Sequence, residues 1–305
     1  MLFSVLMTLQ KRDLTNPLWH FNRFTFVRRF SILLGDIGYA WWRLHHWDSR
    51  FSSYYAHTIA KKLVKWRALR TLGKKRHEPT NFLAGGEILM PSQSQQHGRF
   101  AFMQIVELGL QPHHVCVDYG CGSLRVGQHL IGYLQPNRYW GLEVTDRFFQ
   151  NGLDQLQDGI HQAKTPHLGI IQEPLLQRVA LLKPDYLICV SVIMHVPPHE
   201  LDPFFAKLLR LMAIQTRLLL FFDESPSDIR TGSKSWTYSV ATLTDHILRG
   251  QPHTLVSCKP VSIKGRIGKI EFRRSILIIE RTQQTRPALP HNLQGSFVPN
   301  RMPIC

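Results

Sequence analysis

One stretch limits what this chain can fold into: Val115-Cys-Val-Asp-Tyr-Gly-Cys-Gly-Ser-Leu-Arg-Val-Gly127. Val115 and Val117 suit the interior of a strand. Gly120 and Gly122 permit positive φ and a close approach of backbone to a ligand. Gly127, Leu130, Ile131 and Leu134 then recur at helical spacing. The stretch therefore predicts strand, tight turn and helix, with the free N–H groups of the helix start aimed over the turn.

A second strand, Tyr139-Trp-Gly-Leu-Glu143, ends in a carboxylate. An acid at that place accepts hydrogen bonds from both hydroxyls of a ribose. Turn and acid together point to a cofactor that contains a nucleoside. The dinucleotide pattern G-x-G-x-x-G fails, because Arg125 stands where its third glycine would be. Asp118, two residues before Gly120, makes the pattern D-x-G-x-G instead.

On Asp118, Gly120, Gly122 and Glu143, the chain resembles the class I S-adenosylmethionine-dependent methyltransferases, over a span from about Gln96 to Arg281. It departs where Leu124 replaces a third glycine that many members carry, and a leucine there is expected to narrow the pocket around the methionine part of the cofactor. The resemblance implies a Rossmann-like, seven-stranded, mostly parallel sheet with an antiparallel last strand and helices on both faces. It also implies S-adenosyl-L-methionine as cofactor. Asp118, Gly120, Cys121 and Gly122 would form the cofactor turn, with Glu143 on the ribose. Either Gln172 or Glu173, at the end of the third strand, would meet the adenine. Ser191 to His195, after the fourth strand, would lie near the methyl group.

The rest of the core alternates strand and helix, the pattern of a parallel sheet covered on both faces. Strands are expected at His114–Asp118, Tyr139–Glu143, His167–Glu173, Pro184–Val192 and Arg217–Glu224. The closing pair is expected at His253–Cys258 and Arg273–Arg281, and helices at Thr145–Gln157 and Val240–Leu248. Ligands sit beyond the carboxyl ends of such strands. His195 is thus the candidate base for the acceptor's proton, with a role in the site wall as the plainer alternative. Glu224, and Trp236 and Tyr238 in an expected polar loop over residues 225–238, are further candidates to line the acceptor. His97 and Arg99, at the start of a helix expected over Gln95–Leu110, are candidates to touch the cofactor carboxylate or the substrate.

Charge divides the chain. Through Leu110, 16 Lys/Arg stand against 6 Asp/Glu; from Gln111 to Gln284 the counts are 19 and 15. The excess belongs to an N-terminal extension and favours an anionic membrane surface, nucleic acid or an acidic protein. That extension, residues 1–94, is read as basic, aromatic and helical, with a linker over Gly73–Ser94. The catalytic domain is 95–283, and 284–305 is a proline-containing tail. Within the extension, a basic helix over Ser52–Leu72 gathers Tyr55, Ile59, Leu63 and Trp66 near one face. It suits a membrane surface, phosphates or simple packing on the core.

Five cysteines without a C-x-x-C pair exclude a disulfide framework and a zinc site of the usual spacing, and no H-E-x-x-H occurs. No metal is expected. A reducing, cytoplasmic location is expected, with a peripheral place on a membrane as its extension; an Arg-rich, acid-poor start leaves an organellar transit peptide as a further reading. The methyl acceptor is expected to be a small molecule, a lipid or a glycan-type group, methylated on oxygen or nitrogen. The alternatives are an inactive binding module of the same fold, and an RNA-binding protein or RNA methyltransferase that uses the basic N-terminus.

Overall fold

The computed structural model describes residues 17–46, 50–71, 91–154, 156, 159–249, 251, 254–267 and 270–282. The expected linker over 73–90, the start of the chain, the tail and the tip of the last hairpin lie outside these residues.

Three helices precede the sheet: α1 (Pro17–His45), α2 (Phe51–Thr71) and α3 (Pro91–Glu107). The core then runs β1 (Cys116–Tyr119), α4 (Gly127–Tyr133), β2 (Tyr139–Glu143), α5 (Asp146–Leu153), α6 (Ile160–Lys164), β3 (His167–Ile170), α7 (Glu173–Leu181) and β4 (Tyr186–Val190). After two short 3-10 turns come α8 (Leu201–Arg210), β5 (Arg217–Glu224), β6 (Ile229–Gly232), β7 (Ser235–Thr237), α9 (Val240–Leu248), β8 (Thr254–Ile267) and β9 (Ile270–Arg281).

The seven-stranded sheet has the order β3-β2-β1-β4-β5-β9-β8. β1 to β5 are mutually parallel, while β9 runs antiparallel to β5 and β8 antiparallel to β9. β1, β2 and most of β4 and β5 are buried on both faces, as their unbroken apolar runs require of strands covered by helices on either side. One apolar layer gathers Val117, Leu187, Phe205, Leu220 and Leu243; the opposite one gathers Ile105, Leu130, Tyr139, Ile188 and Phe221.

The order reverses between β1 and β4, which makes a crevice outside their carboxyl ends. The loops after these strands touch there: a Cβ on Gly120 would overlap the Val192 side chain. The crevice thus draws the glycine turn and the Ser191–His195 segment together.

Several local expectations are corrected. β3 ends at Ile170, so Gln172 and Glu173 belong to the start of α7. Residues 91–94 are the first turn of α3 and not linker. The expected loop over 225–238 contains the antiparallel pair β6–β7, with a further bridge from Glu224 to Tyr238. β8 runs nine residues beyond its expected end at Cys258, and β9 begins three residues before Arg273.

The N-terminal helices fold back over the carboxyl end of the sheet. Phe51 is buried and meets Trp236 edge-on at 5.3 Å. The Phe51 and Ser52 N–H groups, at the start of α2, both donate to the Glu200 carboxylate. An acid is favoured there because a helix N-terminus leaves its first N–H groups unbonded. α2 therefore turns Phe51, Tyr54 and Ile59 inward; the side chains of Leu63 and Trp66, the rest of its expected apolar face, lie outside the described residues.

Candidate active site

Glu143 pins the glycine turn. Its Oε2 accepts the Gly122 N–H at 2.7 Å and its Oε1 accepts the Val144 N–H at 2.7 Å. The Gly120 and Cys121 N–H groups both donate to the Leu142 carbonyl, at 2.7 and 3.1 Å. The turn needs glycine at both of its hinge positions, where φ is +82° at Gly120 and +56° at Gly122. An ionised carboxylate offers about four lone-pair positions. Two of Glu143's are taken by backbone, which leaves two for a pair of hydroxyls. Burial pushes the Glu143 carboxyl up to about 7, against the opposing pull of its two backbone donors.

Asp118 and Cys121 are placed differently from the sequence expectation. Asp118 is buried and accepts a hydrogen bond from the Tyr139 hydroxyl at 2.9 Å. Burial raises its carboxyl to about 7. The Tyr139 hydroxyl lies beneath Gly127, where a Cβ would come within 2.5 Å of it. The Asp118–Tyr139 pair thus supports the start of α4 from below, and the side chains of Asp118 and Cys121 are core residues.

Leu124 has φ +59°, the left-handed conformation that suits the glycine it replaces. Its side chain is buried beside Leu130, Tyr139 and Phe149, against the Cα positions of Gly127 and Gly152. It fills the layer beneath the turn, so the expected narrowing of the cofactor pocket by Leu124 is not what this arrangement shows.

On the far side of the crevice, Ser191 has φ +59°, and its Oγ accepts a hydrogen bond from Arg274 Nη1 at 2.7 Å. Arg274 Nε lies 2.8 Å from Asp223 Oδ1, an ion pair too poorly aligned to be a hydrogen bond. β4, β5 and β9 are thereby tied together at their ligand ends. His97 shares this neighbourhood: burial first, then the charges of Arg125 and Arg274, hold its imidazole below the usual range. α3 lies against the loop after the turn, since a Cβ on Gly98 would overlap the Arg125 carbonyl. Arg99 is exposed at this helix.

His195 closes the crevice. Its Nδ1 is 2.9 Å from the Lys234 carbonyl oxygen. A carbonyl only accepts, so Nδ1 carries the proton and Nε2 carries the lone pair. Burial drives the imidazole down to about 4, despite that hydrogen bond, so the ring is neutral at physiological pH. The Tyr55 ring stacks on it, with centroids 4.9 Å apart and planes 27° apart. Burial, and then the charge of Glu143, raise the Tyr55 phenol. One side chain of α2 thus covers His195 and lies within range of the Glu143 charge. Lys234 Nζ donates to Thr58 of α2 and lies 5.0 Å from the Tyr54 ring centroid. Burial, then the charge of Lys62, bring its ammonium down to about 8.

The other candidates are occupied elsewhere. Glu224 accepts from Arg273 Nε and Nη2, each at 2.7 Å, and from Ser275 Oγ at 2.6 Å. Trp236 is buried beneath Arg230, and the Tyr238 hydroxyl donates to the Val196 carbonyl at 2.5 Å. Glu173 pairs with Arg210 at 2.9 Å, and Gln172 is an exposed N-cap residue. Lys234 and Arg274 carry no signal of a site in the sequence, and Tyr55 reads there only as part of the apolar face of a basic helix. Each reaches the crevice from a distant segment and has no local motif; the only trace is the Arg273-Arg274 pair opening the apolar half of the last strand. Among the described residues, no cluster of three His, Cys, Asp or Glu is arranged to hold a metal ion.

No family model matches the sequence, and no curated protein matches it. Solved structures do. The magnesium protoporphyrin IX methyltransferase ChlM of Synechocystis PCC 6803 with bound S-adenosylmethionine superposes with a TM-score of 0.51 at 16% identity, covering 76% of this chain and 98% of that one. The same enzyme with S-adenosylhomocysteine gives 0.46 at 17% identity, with coverages of 61% and 83%. An S-adenosylmethionine-dependent methyltransferase of Clostridium acetobutylicum gives 0.43 at 12% identity, with coverages of 61% and 91%. At such identities the likeness is one of fold, and the fold is that of the class I S-adenosylmethionine-dependent methyltransferases.

Proposed function

We propose that this chain is an S-adenosylmethionine-dependent methyltransferase that acts on an oxygen or nitrogen of a small-molecule, lipid or glycan-type acceptor. The observation that carries the reading is the Glu143 carboxylate, which holds the glycine turn with two lone pairs and has two left for a ribose. The basic neighbourhood of His97, Arg125 and Arg274 suits the cofactor's carboxylate. S-adenosylmethionine, when bound, supplies a methyl group on a sulfonium, and the protein's share is positioning and proton removal.

His195 takes the proton. With Nδ1–H held by the Lys234 carbonyl, Nε2 keeps the lone pair that a neutral base needs. A weakly basic imidazole suffices for a hydroxyl acceptor, because an oxygen that has just gained a methyl group is strongly acidic while it still holds its proton; an amine acceptor would instead have to arrive neutral and keep its remaining protons as an ammonium until it leaves. Tyr55 keeps the imidazole in plane and excludes water from it. Ser191, locked by Arg274, fixes the segment that carries His195.

Calorimetric titration with S-adenosylmethionine, and separately with NAD, tests the cofactor: micromolar binding of the first alone is expected, and binding of neither would sink the reading. His195→Ala tests the base. General-base catalysis contributes roughly 10²–10⁴-fold, so turnover should fall by that factor while cofactor affinity stays within about twofold.

A further inference from the structure

α1 is amphipathic the wrong way round for a helix that serves only the core. Its inner face carries Gly35, Asp36 and Tyr39. Gly35 packs on Ser233, Asp36 pairs with Arg230 at 2.6 Å, and Tyr39 meets Phe51 at 5.1 Å. Its outer face carries Leu33, Leu34, Ile37, Trp41 and Leu44, with exposures of 54%, 53%, 57%, 65% and 79%. These positions recur at intervals of three and four and fall within an arc of about 100° on a helical wheel. Single exposed leucines mean little, but a contiguous apolar stripe of this kind marks a surface that binds something.

The charge around the stripe selects the partner. Arg29 and Arg43 are exposed on α1, and Lys61 is exposed on α2, where its charge acts on His57, a ring packed against Trp42 of α1. The one acid described in that stretch, Asp36, is turned toward Arg230. An apolar stripe bordered by cations suits an interfacial helix on an anionic bilayer. The stripe covers only two heptads, short of the three or four that a coiled coil with a second copy needs. No helix among the described residues is long and apolar enough to cross a membrane, so the helix would lie on the bilayer.

We propose that the outer face of α1 docks this protein on an anionic lipid surface. The docked helix grips the β6–β7 hairpin through Asp36–Arg230 and Gly35–Ser233, and Lys234 of that hairpin holds His195. The bilayer would therefore lie beside the acceptor end of the crevice. Docking does not depend on methyl transfer.

The test is co-sedimentation of the full chain with phosphatidylcholine vesicles, with and without phosphatidylserine, alongside a titration with S-adenosylmethionine. The wild type should sediment with the anionic vesicles and release in high salt. Ile37→Glu with Trp41→Glu should weaken vesicle binding at least about tenfold, because charges replace the inserted side chains. Both positions are exposed, so helicity and cofactor binding should be unchanged. Arg29→Gln and Lys61→Gln should each cost about fivefold, the worth of one cation near an anionic surface. The proposal is overturned if the wild type ignores anionic vesicles, if the double variant binds them equally well, or if the wild type is a dimer that the double variant splits. Cofactor binding is read separately, so failure of docking and failure of the methyltransferase reading are told apart.

Discussion

The two halves of the crevice are built on different principles. The cofactor half is local. Glu143 reaches back 21 residues to Gly122, and Tyr139 reaches back 21 to Asp118. The acceptor half is assembled from the ends of the chain. Glu200 holds Phe51 across 149 residues, Lys234 holds Thr58 across 176, and Arg230 holds Asp36 across 194. The turn and its ribose-holding acid need only one strand–turn–helix unit and the next strand, with His97 and Arg274 added from α3 and β9. The second half needs the N-terminal helices to return over a finished sheet. Cofactor affinity should therefore belong to the first half and acceptor chemistry to the second, and substitutions should separate the two.

The largest effect is expected at the turn. Gly122→Arg should abolish binding of S-adenosylmethionine, since it adds a long side chain at φ +56°, where an L-residue is strained and the backbone must approach the ligand. Retained binding in calorimetry would end the assignment of the turn. Glu143→Gln comes next. A hydrogen bond to a charged group is worth about 1.5–3 kcal/mol, so affinity should fall roughly ten- to 150-fold. The wild type should bind more weakly as pH falls through about 7, the value to which burial raises the Glu143 carboxyl, because the ribose hydroxyls need an ionised acceptor. Equal affinity of the variant for S-adenosylhomocysteine would remove Glu143 from the ribose.

The same two carboxyls make a prediction about folding. Burial raises both Glu143 and Asp118 in the folded chain to about 7, from ordinary values of 4.5 and 3.8. Between the unfolded and folded values the native state holds more protons than the unfolded one. Stability without ligand should thus be greatest at low pH within that window and fall as pH rises to about 7, with a limiting slope near 1.4 kcal/mol per pH unit for each group. Thermal melts across the window check this. Asp118→Asn should flatten the slope while leaving the turn in place.

Leu124→Gly tests whether this position belongs to the pocket or to the core. The buried side chain makes a loss of stability of about 1–4 kcal/mol the expectation, after allowing for relief of its positive φ. Cofactor affinity should move less than about twofold. A clear gain in affinity would mean that the leucine does obstruct the pocket.

What could be read in the sequence follows the same division. β2, β5 and α9 are found over the residues expected, because the strands are unbroken apolar runs and Ser239 caps the helix by accepting the Thr242 N–H at 3.1 Å. β1 begins two residues later than expected because the Val115 N–H is taken by the Asp185 carboxylate at 2.8 Å, outside the ladder. β6 and β7 are too short and polar to announce themselves; they pair where α1 and His195 give them something to pack on. The roof of Tyr55 over His195 had no local signature, and neither did the outward apolar stripe of α1, since an amphipathic pattern does not say which face meets the core.

The smallest effect is expected from Thr58→Val, which bears most directly on the division. The change removes the hydroxyl that accepts from Lys234 and leaves the shape of α2 nearly intact. The hydroxyl also donates to the Tyr55 carbonyl at 3.0 Å, so one charge-assisted and one local hydrogen bond are lost, at a cost dominated by the first of about 1.5–3 kcal/mol at most. The Lys234 ammonium, already brought down to about 8 by burial, should titrate lower still without that partner. α2 should loosen first, so limited proteolysis should cut within it sooner than in the wild type. Cofactor affinity should stay within about twofold, while methyl transfer declines several-fold as Tyr55 loses its hold over His195. If affinity for S-adenosylmethionine instead fell as far as in Glu143→Gln, α2 would be part of the cofactor site, and the two halves would be one.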